Sequence, residues 1–110
     1  MFSKKQLLKG ILEGCILKVI LDAPSYGYEI YTKLVQYGFD DLQMGTVYPI
    51  LLRLEKQDFV TVDFSYSSKG PVRKIYNITA EGRKYYVSFR EEWIRTEITL
   101  NKIIKEKTAK

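Results

Sequence analysis

The side chains best equipped for chemistry in this chain are cations and phenols in its middle part. Arg53 and Lys56 lie three residues apart, Lys69 follows, and Arg73 and Lys74 come just after Gly70-Pro71-Val72. Tyr28 and Tyr48 precede them. Cations on a helix and on an adjoining loop form the electrostatic footprint of a nucleic-acid binder. Phenol hydroxyls can hydrogen-bond phosphate oxygens. The whole chain leans the same way, with 18 Lys and Arg against 13 Asp and Glu in 110 residues and a net charge of +5. Lys4, Lys5 and Lys9 add to that charge near the N-terminus.

Other chemistries are excluded by what is missing. The chain has no His. That removes the commonest metal ligand, the usual general base and the Ser-His-Asp triad in its standard form. One cysteine, Cys15, allows no intramolecular disulfide and no Cys-rich zinc site. Carboxylates and tyrosines are present, but nothing marks a pocket with paired acid and base. No enzyme activity, metal or cofactor is expected. No apolar run approaches the ~20 residues of a membrane span. Residues 1–5 lead into a helical pattern, not a signal-peptide core. The expectation is a soluble, cytoplasmic protein with one modest core.

The positioning elements follow from periodicity. Leu7, Leu8, Ile11, Leu12, Cys15, Ile16, Val19 and Ile20 recur one helical turn apart and predict a single helix over residues 4–21. Ser3 with Gln6 resembles a capping box. Gly10 and Gly14 inside that helix suggest close packing. Cys15 lies on the apolar stripe and reads as a small hydrophobe. Ala23-Pro24 breaks the pattern, and Ser25 is a good N-cap for a second helix over 26–37. A third helix starts near Gly45, because Pro49 is tolerated only near a helix start. Val47, Ile50, Leu51 and Leu54 form its apolar stripe; Tyr48, Pro49, Leu52, Arg53 and Lys56 point largely away.

Residues 59–64 and 73–78 read as two strands of a hairpin around a turn-forming loop. Thr79 then caps a long helix to about Lys107. In it Tyr86, Trp93 and Leu100 fall seven apart, and Phe89, Thr96 and Ile103 repeat the interval. This is an a/d seam with Thr96 as its polar exception. Some ~27 residues of helix span about 40 Å, more than a ~70-residue head covers. The aromatic face is therefore expected to meet another chain. The fold class is mainly α with a small β-hairpin: a winged helix-turn-helix over residues 1–78 and a dimerisation helix over residues 79–110. In a winged helix-turn-helix the third helix meets the major groove, and the hairpin reaches the backbone or minor groove.

Three blocks carry a more specific resemblance: Tyr26-Gly27-Tyr28-Glu29-Ile30, residues 45–56 from Gly45-Thr46 to Glu55-Lys56, and residues 70–82 from Gly70-Pro71 to Glu81-Gly82. In that order and spacing they resemble the PadR family of transcriptional regulators. The single tail helix carrying Trp93 resembles the short members, among them the LmrR-like multidrug-sensing repressors. The resemblance implies a homodimeric repressor on double-stranded DNA with a pseudo-palindromic operator. In that subgroup the last helices pair, and a central tryptophan pair sandwiches flat drugs. Leu52 departs from the family, which often has a polar residue there.

The expected DNA contacts are Tyr28, Thr46, Tyr48, Pro49, Arg53 and Lys56, with Lys69, Gly70, Arg73 and Lys74 in the wing. The plainer alternatives are packing of Tyr28 and Tyr48 and a surface ion pair of Arg53 with Glu55 or Asp58. The resemblance further implies a site for a small planar aromatic effector at Trp93 and Phe89, flanked by Thr96 and Leu100. Leu8, Leu12 and Cys15 are candidate walls, and Glu92 and Glu97 could attract a cationic drug. Tyr86, Phe89, Trp93, Thr96, Leu100 and Ile103 are the expected dimer interface. The rival readings are a winged helix that docks a protein, without sequence-specific DNA binding, and one that binds RNA.

Overall fold

The computed structural model describes residues 2–67 and 70–105. Its first departure from expectation lies in the N-terminal periodic segment, which forms two helices. α1 (Lys4–Leu8) ends before Lys9, and α2 (Ile11–Asp22) begins after Gly10. Gly10 has φ +89°. That left-handed conformation costs a residue with a Cβ about 1–2 kcal/mol. The apolar rhythm runs through the break because it marks a face, not an unbroken backbone. The expected Ser3–Gln6 capping box is also absent. The Ser3 side chain makes no cap bond, and its carbonyl accepts from Gln6 N–H at 3.1 Å instead.

Ser25 does not cap the next helix. It opens β1 (Ser25–Tyr26), pairs with Tyr76, and donates its hydroxyl to the Ala23 carbonyl at 2.8 Å. α3 (Gly27–Tyr37) starts one residue beyond β1. Its first turn is closed by Glu29, whose carboxylate accepts from the Tyr26 N–H at 2.7 Å. α4 (Met44–Lys56) contains Pro49 in its interior, so Pro49 does not mark its first turn. The proline leaves the Gly45 carbonyl without its helical donor. α4 ends in a Schellman turn with Asp58 at φ +63°. Asp58 N–H bonds the Glu55 carbonyl and Phe59 N–H the Leu54 carbonyl, both at 3.0 Å.

β2 (Val60–Ser67) and β3 (Gly70–Ile78) form the hairpin, and β1 adds a third strand in the order β1-β3-β2, all antiparallel. Two-residue β1 shows no alternation, which is why the pattern missed it. α5 (Ala80–Ile104) follows. Thr79 caps it as expected, accepting from Gly82 N–H at 2.9 Å and donating to the Asp58 carbonyl at 2.8 Å. The expected end at Lys107 lies outside the described residues.

The core lies among α2, α3, α4 and the sheet. Ile16, Leu17, Ile30, Val47, Leu51 and Leu54 are fully buried there. The start of α5 is built into this head. A Cβ at Gly82 would collide with the Phe59 carbonyl oxygen, and one at Gly14 with the Phe89 ring. The expectation of close packing thus holds at Gly14. Tyr85 stacks on Phe59, with ring centroids 4.4 Å apart. From Arg90 to Lys105 every residue is exposed. Among the described residues no helix is long and apolar enough to cross a membrane.

Candidate nucleic-acid interface

In the first turn of α3, closed by the Glu29 bond, Tyr28 is 68% exposed. α4 places Tyr48 beside it, and β3 brings Arg73 and Lys74 up from the sheet. These four line one cleft of about 600 Å³, with Tyr76 at its base. The cations rest on aromatic faces. The Arg73 guanidinium carbon is 5.2 Å from the Tyr26 ring centroid, and Lys74 Nζ is 5.9 Å from that of Tyr48. A ring orients a cation without cancelling its formal charge. Glu29 also borders the cleft, but its carboxylate is engaged with the Tyr26 backbone. Two cations and two phenols around one concavity can grip a phosphate.

The other expected contacts lie elsewhere. Thr46 and Arg53 are two turns apart on a different flank of α4, where both border a second cleft against α1 and α2. Arg53 is ion-paired, but not with Glu55 or Asp58 as the alternative had it. Its Nε lies 3.5 Å from Oε2 of Glu13, a carboxylate only 14% exposed. Glu13 Oε1 accepts from the Tyr85 hydroxyl at 2.8 Å. This hydrogen bond is the main cause that raises the Tyr85 phenol above its ordinary value, with burial second. One carboxylate thus joins α2, α4 and α5. Sequence reasoning missed it; its only signal was an acid within an apolar helix. Pro49, Lys56 and Gly70 are exposed, and Leu52 is 47% exposed. Lys69 lies outside the described residues. Tyr26 and Glu29 were also missed, although their i, i+3 spacing at a helix start was a signal.

Residues 16–88 match the family model of the PadR-like transcriptional regulators. The chain belongs to that family. It is similar to a PadR-like transcriptional regulator from Bacillus cereus, at 40% identity and a TM-score of 0.82, covering 93% of this chain and 99% of that one. A Streptococcus transcriptional regulator is 39% identical with a TM-score of 0.80, covering 89% and 96% of the two chains. An uncharacterized protein of Lysinibacillus sphaericus is 32% identical over 92 residues, 82% of this chain and 84% of that protein. The winged-helix fold and the long last helix are those of PadR-like regulators, which are transcriptional regulators and not enzymes.

Among the described residues of this PadR-like protein the candidate effector residues fall in different places. Cys15, Tyr86 and Phe89 meet in a cavity of about 350 Å³ between α2 and α5. Leu8 and Leu12 line the cleft that holds Thr46 and Arg53. Trp93, Thr96, Leu100 and Ile103 lie beyond both, exposed on α5, with Trp93 at 41%. Burial pushes the Cys15 thiol up, which suits a packed side chain and not a nucleophile.

Proposed function

We propose that this PadR-like regulator is a homodimeric repressor that binds a pseudo-palindromic operator through the cleft between α3, α4 and the wing. The observation that carries the reading is the convergence of Arg73 and Lys74 with Tyr28 and Tyr48 on one concave surface. Phosphate contacts from these side chains provide most of the affinity and make it salt-dependent. α4 supplies base contacts. Residues 1–78 read the DNA and residues 79–110 pair the subunits. The exposed run of α5 supports pairing, because Trp93, Leu100 and Ile103 are exposed among the described residues. A two-fold dimer sets its recognition helices about 34 Å apart, one DNA turn.

The switch is a planar aromatic ligand held between paired α5 helices on Trp93. Such a ligand releases DNA only by preferring a dimer in which the recognition helices are mis-spaced. The test is selection of short duplexes from fragmented genomic DNA at physiological salt, followed by sequencing. A pseudo-palindrome with half-sites one turn apart is expected. Featureless enrichment would favour a protein partner instead. In parallel, Arg73→Ala with Lys74→Ala should weaken binding to every duplex and flatten the salt dependence. Wild-type affinity and slope in that variant would remove the wing from the interface.

A further inference from the structure

Tyr76 is the largest fully buried side chain in the head, 1% exposed. Its hydroxyl is sealed from solvent and finds no hydrogen-bond partner among the described residues. A buried unpaired hydroxyl destabilises the fold, and phenylalanine would fill the same space without that cost. The location of Tyr76 supplies a reason for the hydroxyl. Tyr76 lies in the middle of β3, paired on one side with Ser25 and on the other with Val62. Its ring packs close to Gly27 at the start of α3, and it borders the same cleft as Tyr48. Burial pushes the phenol up to about 12, with Tyr48 and Glu55 adding to the shift. The group is therefore a neutral O–H at any ordinary pH. Tyr48 lines the same cleft and is 42% exposed.

We propose that the Tyr76 hydroxyl is a positioning group for DNA binding. When a backbone phosphate enters the cleft, the Tyr48 hydroxyl accepts a hydrogen bond from Tyr76 and donates its own to a phosphate oxygen. The proposal rests on the reading of this cleft as a phosphate seat. A hydroxyl that is unpaired in the free protein and paired in the complex stabilises the complex alone. The two bonds polarise each other in the same direction, so each strengthens the other. Neither residue carries charge, so the relay adds affinity without adding to counterion release.

The test compares wild type, Tyr76→Phe, Tyr48→Phe, their double variant and the Arg73→Ala/Lys74→Ala variant. Each is measured for thermal stability and for affinity to one duplex across a series of salt concentrations. Tyr76→Phe should melt no lower than wild type, yet bind roughly five- to tenfold more weakly, the loss of about one hydrogen bond. Its salt slope should equal that of wild type. Tyr48→Phe should lose a similar factor, and the double variant should bind no more weakly than Tyr48→Phe. The relay is overturned if Tyr76→Phe binds normally while Arg73→Ala/Lys74→Ala binds weakly; the phosphate seat then survives alone. It is also overturned if the two phenylalanine losses multiply, or if Tyr76→Phe melts lower. Full binding by Arg73→Ala/Lys74→Ala removes the seat and the relay together.

Discussion

In α2, Ile16, Val19 and Ile20 are between 0% and 4% exposed; in α5, Trp93, Leu100 and Ile103 are 41%, 41% and 68% exposed. Both helices repeat large apolar residues at helical spacing. α2 is covered by α3, by β3 and by the start of α5, whereas α5 leaves the head after Phe89. The contrast teaches that periodicity identifies a face and not what covers it. In α2 the cover belongs to the same chain. In α5 the face is exposed among the described residues, and the proposed function assigns its cover to a second copy.

Substitutions in the two regions should therefore fail differently. The largest expected effect is Leu51→Ala in the head, which removes a fully buried side chain. It should destabilise by about 2–5 kcal/mol in chemical denaturation. A loss near zero would mean that the head is not the packed unit described. Trp93→Ala comes next. It should weaken the proposed self-association by an amount on the order of 2 kcal/mol in analytical ultracentrifugation. The near-ultraviolet signal from the head tyrosines should stay in place. An unchanged association would break the comparison, because the exposed face of α5 would then need no cover at this position. The smallest effect is at the joint between the two regions. Thr79→Ala deletes the cap of α5 and should cost about 1 kcal/mol, read as a drop in melting temperature. No change there would mean that the head sets the direction of α5 without the cap.

Much of this fold was legible in the residues. The helices α3 and α4, the hairpin and the Thr79 cap followed from spacing and turn chemistry, which act over a few neighbours; the Ser25 cap did not. The breaks at Gly10 and at β1 did not. Gly10 interrupts the backbone while the apolar face continues across it. Two residues of β1 make a strand only because β3 lies alongside. The candidate site was legible in part. Tyr28, Tyr48, Arg73 and Lys74 were foreseen and share a cleft. Thr46 and Arg53 were foreseen and lie on another flank, because roughly 140° separates Tyr48 from Arg53 around a helix of 3.6 residues per turn.

By itself the sequence determined the order of α3, α4, the hairpin and α5, the sign of the charge and the apolar faces. These depend on side-chain type and on the fixed geometry of helix and strand. Only the tertiary structure decided that Glu13 holds Arg53 and Tyr85, and that the Tyr76 hydroxyl is buried at the base of the cleft with no partner among the described residues. Glu13 is 40 residues from Arg53 and 72 from Tyr85 along the chain. Hydrogen bonds and ion pairs act over a few ångströms. Such partners are set by how packed faces meet in space, which no local pattern encodes.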